Sequence, residues 1–281
     1  MKIALAQINT ALGDIHANLE KHLDYIRQAK TEGADLVVFP ELSLTGYILQ
    51  DIVPTVAARP LPDDPIFKSL FQASKDIDVV LGFVEVGDRH RFFIAGAYLS
   101  RGEVLHVHRK VYLPTYGMFD ERRFFASGDS VRAFDTPFGR FGLLICEDFW
   151  HASLPYLLWM DGADVLVFIS ASPGYGLSQE PHFSVARWVE TATMTYANLF
   201  TCFVASTNRV GFEDGICFYG NAHLHDPRGN LVAKGPALEE ALTVAEIDFG
   251  QLRRARGRLP LLRDERPALV LEELRRILGE S

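Results

Sequence analysis

The chain has 281 residues, enough for one large domain or two small ones with a substantial core. Hydrophobic residues make up 48% and charged residues 23%, an ordinary globular balance, and a net charge of −8 argues against nucleic-acid binding, which needs surplus Lys and Arg. No apolar run approaches the ~20 residues of a membrane span, and the N-terminus lacks signal-peptide anatomy, so a cytoplasmic protein is expected.

Lys2–Gln7 reads as a strand. Asn18–Glu32 carries Leu19, Leu23, Ile26 and Ala29 at a helical period, and Asp35–Phe39 reads as a second strand. Phe67–Ile77 follows as a helix, then strands Val79–Glu85, Phe92–Leu99 and Glu103–Val111. The second half gives strand Phe141–Cys146, a helix near Ser153–Asp161, strand Val165–Ser170 and a long helix from Phe183 to Asn198. Strands Thr201–Ser206, His223–His225 and Ala241–Ile247 complete the pattern. No Gly/Ser-rich or Pro-rich linker divides the halves, which favours one domain over residues 1–250. The tail, 251–281, is read as partly helical. Its Leu269, Leu271, Leu274, Ile277 and Leu278 could dock on a neighbouring copy or on the chain's own body.

Glu32-Gly33-Ala34-Asp35-Leu36-Val37-Val38-Phe39 is echoed by Asp161-Gly162-Ala163-Asp164-Val165-Leu166-Val167-Phe168. Each copy is a helix end with a glycine stop, then a strand buried on both faces. Two pseudo-equivalent αβ halves are therefore expected, each giving a sheet, with the sheets face to face and helices outside.

Cys146 ends the apolar run Phe141–Ile145 and is followed by Glu147 and Asp148. The thiol is expected where a strand emerges into a loop, an edge at which α/β proteins commonly meet ligands. Acids close to the sulfur would oppose thiolate formation, so a nucleophilic Cys146 needs a base for its proton and a cation for its charge. Glu41 is presented where Pro40 stops a strand, either as a general base or as a cap for the next segment. Lys110 ends another strand, either as a cation for an oxyanion or as an ordinary surface lysine. Glu121 lies among Tyr116, Phe119, Phe124 and Phe125, where a carboxylate needs a partner, and Lys110 is the candidate. The nine histidines include no His-Glu-x-x-His. His106 with His108, and His223 with His225, read as solvated or satisfied side chains rather than metal ligands. Three widely spaced cysteines do not suggest a disulfide framework.

Taken together, a glutamate, a lysine and a cysteine at strand ends resemble the nitrilase superfamily of carbon–nitrogen hydrolases. The carriers are Phe39-Pro40-Glu41, Arg109-Lys110-x-x-Leu113 and Leu144-Ile145-Cys146-Glu147-Asp148. Asn208-Arg209-Val210-Gly211 and Asp226-Pro227-Arg228-Gly229 follow downstream. The resemblance implies an α/β fold, a four-layer α-β-β-α sandwich. It also implies a catalytic triad of Glu41, Lys110 and Cys146 with Glu121 in support, and a substrate pocket including Tyr47, Tyr116, Phe119, Glu147, Ser170 and Ser172. No metal or organic cofactor is implied, and a homo-oligomer is expected.

Pro40–Tyr47, Leu113–Glu121 and Cys146–Trp150 look like the glutaminase domain of glutamine-dependent NAD synthetases. Those synthetases carry a second, ATP-using domain, and no counterpart of it is expected within these 281 residues. Their Ser-x-Ser-Pro phrase leads to a basic residue, whereas Ser170-Ala171-Ser172-Pro173 here leads to Gly174-Tyr175-Gly176-Leu177-Ser178. A smaller departure is Ala222, where many relatives carry serine. The implied activity is that of a cysteine-dependent amidohydrolase, cleaving a small non-peptide amide through a thioester and releasing ammonia or an amine. The alternatives are a glutaminase subunit feeding a separate synthetase partner, and a non-catalytic scaffold on the same fold.

Overall fold

The computed structural model describes residues 1–174 and 183–280. Its strands run in chain order as β1 (Lys2–Gln7), β2 (Leu36–Val38), β3 (Asp78–Val86), β4 (Phe92–Ser100) and β5 (Glu103–Arg109). Then come β6 (Phe134–Asp135), β7 (Arg140–Ile145), β8 (Val165–Ser170), β9 (Phe203–Asn208) and the hairpin β10 (Val210–Glu213) and β11 (Ile216–Tyr219). The last are β12 (His223–His225), β13 (Leu231–Lys234) and β14 (Ala241–Glu246). The helices are α1 (Ile15–Thr31), α2 (Val53–Val56), α3 (Pro65–Ala73), α4 (Ser153–Met160) and α5 (Ser184–Leu199), with α6 (Phe249–Arg258), α7 (Leu261–Asp264) and α8 (Pro267–Leu278) at the C-terminal end. None of them is long and apolar enough to cross a membrane.

Two six-stranded sheets result, ordered β14-β1-β2-β3-β4-β5 and β13-β12-β9-β8-β7-β6. Strand alternation sorts each side chain into a layer. Ile3 and Leu5 of β1 meet Leu143, Ile145, Val165 and Val167 of the other sheet in a common core. Ala4 and Ala6 turn the other way, onto Leu19 and Ile26 of α1 and Phe67 and Leu70 of α3. In the second sheet, Leu144, Leu166 and Phe168 pack beneath Leu158 of α4 and Val189 of α5. Strands apolar at every position are thus buried on both faces. The architecture is the expected α-β-β-α sandwich.

The sequence echo is a structural one. The parallel run β1-β2-β3 is repeated by β7-β8-β9. Asp35 N–H donates to Lys2 O at 2.8 Å and its carboxylate accepts from Lys2 N–H at 2.7 Å. Asp164 does the same with Arg140, at 2.7 and 3.1 Å.

Some sequence boundaries shift. The strand expected over Glu103–Val111 stops at Arg109, because Val111 and Tyr112 turn their N–H groups onto Asp148 rather than a neighbouring strand. The helix expected to Ile77 stops at Ala73, and the strand expected from Thr201 begins at Phe203, after a turn with Thr201 at φ +46°. β6, β10, β11 and β13 are additions, all short.

Candidate active site

Glu41 leaves the end of β2 and passes over β3, and the passage depends on Gly82. A Cβ at Gly82 would lie 2.7 Å from Glu41 Cα, so only glycine lets the two backbones approach this closely. Ser43 secures the crossing, its hydroxyl bonding both the N–H and the carbonyl of Gly82 at 3.2 Å. Lys110 follows β5, with its N–H on Ile94 O at 2.8 Å. Cys146 leaves β7 at φ +46°, a strained conformation for a side-chain-bearing residue and one that recurs at functional sites.

These segments bring the side chains together. Lys110 Nζ donates to Glu41 Oε1 at 2.7 Å and to Glu121 Oε1 at 2.8 Å, and the Lys110 and Glu41 side chains are fully buried. Glu41 Oε2 accepts from Ala171 N–H at 2.8 Å. Tyr47 hydroxyl donates to Glu121 Oε1 at 2.5 Å. Glu121 Oε2 is buried with no partner among the described residues. The thiol of Cys146 lies 3.9 Å from Ser172 Oγ.

Electrostatics follow from burial. Burial pulls the Lys110 ammonium down, but Glu121, Glu41 and Cys146 more than offset this and hold it well above its ordinary range. Burial raises the Cys146 thiol well above its ordinary range, Glu41 and Glu121 push the same way, and Lys110 opposes them. Glu121 is pushed up to about 7 by burial against Lys110, with Glu41 adding to the rise. The acids that oppose the thiolate are therefore Glu41 and Glu121. Glu147 and Asp148, the suspects in the sequence, are engaged elsewhere: Glu147 accepts from Tyr116 hydroxyl at 2.7 Å.

Asp148 does something the sequence did not suggest. Its Oδ1 accepts from Val111 and Tyr112 N–H, both at 2.9 Å. Its Oδ2 is 2.8 Å from His108 Nε2 and 3.3 Å from Ile145 N–H. One carboxylate thus ties the residues flanking Lys110 to the turn that holds Cys146.

Cys146 opens into a cavity of about 470 Å³, a volume suited to a small molecule. Tyr116, Phe119, Glu147 and Ser172 line it, as do Trp150 and Val185, which sequence reading passed over. Of the other anticipated binding residues, Tyr47 faces a second cavity that it shares with Phe119 and Glu121. Ser170 is buried away from both, donating to Asn208 Oδ1 at 3.1 Å. Asn208 also accepts from Ser172 N–H at 2.7 Å and so braces the segment beside the thiol. Leu177 and Ser178 lie outside the described residues. His108 is bound to Asp148, and His223 Nε2 lies 2.8 Å from Thr193 Oγ1. Among the described residues no cluster of His, Cys, Asp and Glu is arranged to hold a metal.

The carbon–nitrogen hydrolase profile matches residues 2–257. A glutamine-dependent NAD(+) synthetase of Acinetobacter baylyi is 32% identical over 90% of this chain, but that match spans only 45% of the synthetase. An (R)-stereoselective amidase of a Pseudomonas species is 32% identical over 97% of this chain and 94% of its own length. A carbon–nitrogen hydrolase from Helicobacter pylori G27 shares the fold, with a TM-score of 0.85 over 98% of each chain at 22% identity. The site's geometry and these likenesses agree, and the chain belongs to the carbon–nitrogen hydrolase family.

Proposed function

We propose that the protein is an amidohydrolase that cleaves a small, non-peptide amide through a thioester on Cys146. The observation that carries this reading is Lys110 Nζ fixed between Glu41 and Glu121 beside a buried thiol that opens into a ligand-sized cavity. The 32% identity to the (R)-stereoselective amidase, over 97% of this chain and 94% of that protein, supports an amidase reading.

In this mechanism Glu41 takes the thiol proton as Cys146 Sγ bonds to the carbonyl carbon. The carbonyl oxygen becomes an oxyanion, met by Lys110 and the backbone N–H of Glu147; one such donor is worth about 3 kcal/mol of barrier. Collapse breaks the C–N bond, and Glu41 returns its proton to the departing nitrogen. Glu41 then removes a proton from water, which attacks the thioester and frees the acid and the thiol. Glu121 keeps Lys110 in place throughout.

Ammonia release from a panel of small amides, carbamoyl compounds and glutamine tests the proposal. The wild type should turn over at least one of them, and Cys146→Ala should abolish turnover while leaving the fold intact. Ammonia release by Cys146→Ala at the wild-type rate would remove Cys146 from the mechanism.

A second reading, a glutaminase subunit supplying a separate NAD synthetase-type ligase, draws on the 32% identity to the Acinetobacter baylyi synthetase. It predicts glutamine turnover that rises when such a ligase is added.

A further inference from the structure

Tyr47 is gripped at its backbone as well as at its hydroxyl. Its N–H and that of Ile48 donate to Glu213 Oε1 at 2.8 and 2.6 Å, across 166 and 165 residues of sequence. Glu213 Oε2 accepts from Arg209 Nη1 at 2.6 Å. Arg209 is only 1% exposed, donates through Nη2 to Thr10 O at 3.2 Å, and lies 4.4 Å over the ring of Phe218. Gly46 makes the approach feasible: it sits at φ +80°, and a Cβ there would come within 2.8 Å of Glu213 Oε2. Stability is a weak reason for such a buried ion pair, since hydrophobic replacements often do as well. Its geometry offers a better reason. A carboxylate accepts on both of its sides, here two N–H groups on one and a guanidinium on the other, which an amide cannot do.

We propose that Glu213, paired with Arg209, is a positioning residue for the reaction. It holds the Tyr47 turn so that the Tyr47 hydroxyl stays on Glu121 and Glu121 stays on Lys110. From Arg209 through Glu213, Tyr47, Glu121 and Lys110 to Glu41, the links run from 2.5 to 2.8 Å. The inference rests on the reading of Cys146, Lys110 and Glu41 as the catalytic groups.

The rate of Cys146 alkylation by iodoacetamide, followed across pH by peptide mass spectrometry, tests it without a substrate. The wild-type rate should inflect near 7, where Glu121 gains its proton. The Tyr47 hydroxyl favours the ionised Glu121, so Tyr47→Phe should move the inflection up by about one pH unit, the worth of one hydrogen bond to a charged group. Glu213→Gln should move it the same way, and combining the two should add little. Adding Arg209→Met to Glu213→Gln should return the inflection toward its wild-type position, because the amide oxygen is then free to face the Tyr47 turn. A protein that is merely less stable would lose alkylation selectivity without moving the inflection. Should Glu213→Gln fail to fold, Glu213→Asp carries the test, since its carboxylate is drawn back by one methylene and should also shift the inflection. An unmoved inflection in folded Glu213 variants overturns the proposal, as does a wild-type profile with none. Labelling of Cys202 or Cys217 in place of Cys146 would instead overturn the reading of the site itself.

Discussion

Lys110 is the residue on which the site's electrostatics turn. A buried ammonium would be costly alone, and Glu41 and Glu121 keep it charged. In the proposed mechanism it then meets the oxyanion without any reorganisation. If these groups act as one unit, Glu41→Gln and Lys110→Ala should each lower kcat by several orders of magnitude, and the double variant should lose far less than the product. Steady-state kinetics on all three variants decide this; simple multiplication of the two losses would show that they work separately. Glu121 adds a pH signature. With its carboxyl pushed up to about 7 by burial, it gains a proton below that pH and weakens its hold on Lys110. An initial-rate profile of kcat/KM should therefore fall on the acid side of 7, and Glu121→Gln should flatten that limb. The four side chains that the fold brings together each had a local mark in the sequence: Glu41 a strand-ending proline, Lys110 and Cys146 the ends of strand-like runs, and Glu121 a setting of aromatics. Glu213 carries no such local mark, and its grip on Tyr47 exists only once the β10-β11 hairpin meets the distant Tyr47 turn.

At the scale of elements, the strand leading to Lys110 and the turn holding Cys146 are separate pieces of chain joined by Asp148. Removing that carboxylate leaves the half-buried N–H groups of Val111 and Tyr112 and the buried His108 ring without their partner, at up to about 1–3 kcal/mol for each group that stays unsatisfied. Asp148→Ala should thus lose several kcal/mol in urea unfolding, and Asp148→Asn should lose less, because its remaining oxygen can still serve Val111 and Tyr112. Equal stability of wild type and Asp148→Ala would refute the joint. The sequence showed the main strands and helices well because their apolar periods are long. It missed β6, β10, β11 and β13, which are too short to show a period, and it ran the Lys110 strand two residues too far because Asp148 diverts the backbone. The helix α8 poses another question. Its Leu271, Leu274, Ile277 and Leu278 are all exposed, and an isolated helix of this length is marginal in water. Assembly of copies is expected to cover that face, and light scattering at micromolar concentration should report a mass above the monomer's 31.5 kDa.

At the scale of the whole molecule, the proposed reaction draws its selectivity from the charge of the cavity wall. The chain spans about half the length of the synthetases it resembles, yet nearly all of the (R)-stereoselective amidase. Its described cavity wall offers the carboxylate of Glu147 and no Lys or Arg, and the sequence from Tyr175 to His182 contains none either. Glutamine brings a carboxylate of its own. Lacking one charge-assisted hydrogen bond to that group costs roughly 1.5–3 kcal/mol, or about 10- to 150-fold in affinity. Free glutamine is therefore expected to be a poor substrate for this chain, and a neutral or cationic amide a better one. Initial rates with glutamine and with uncharged amides, measured with and without an added synthetase, separate the two outcomes. A glutamine KM in the low-millimolar range with kcat of about 1 per second or more, as typical enzymes show, would restore the glutaminase reading.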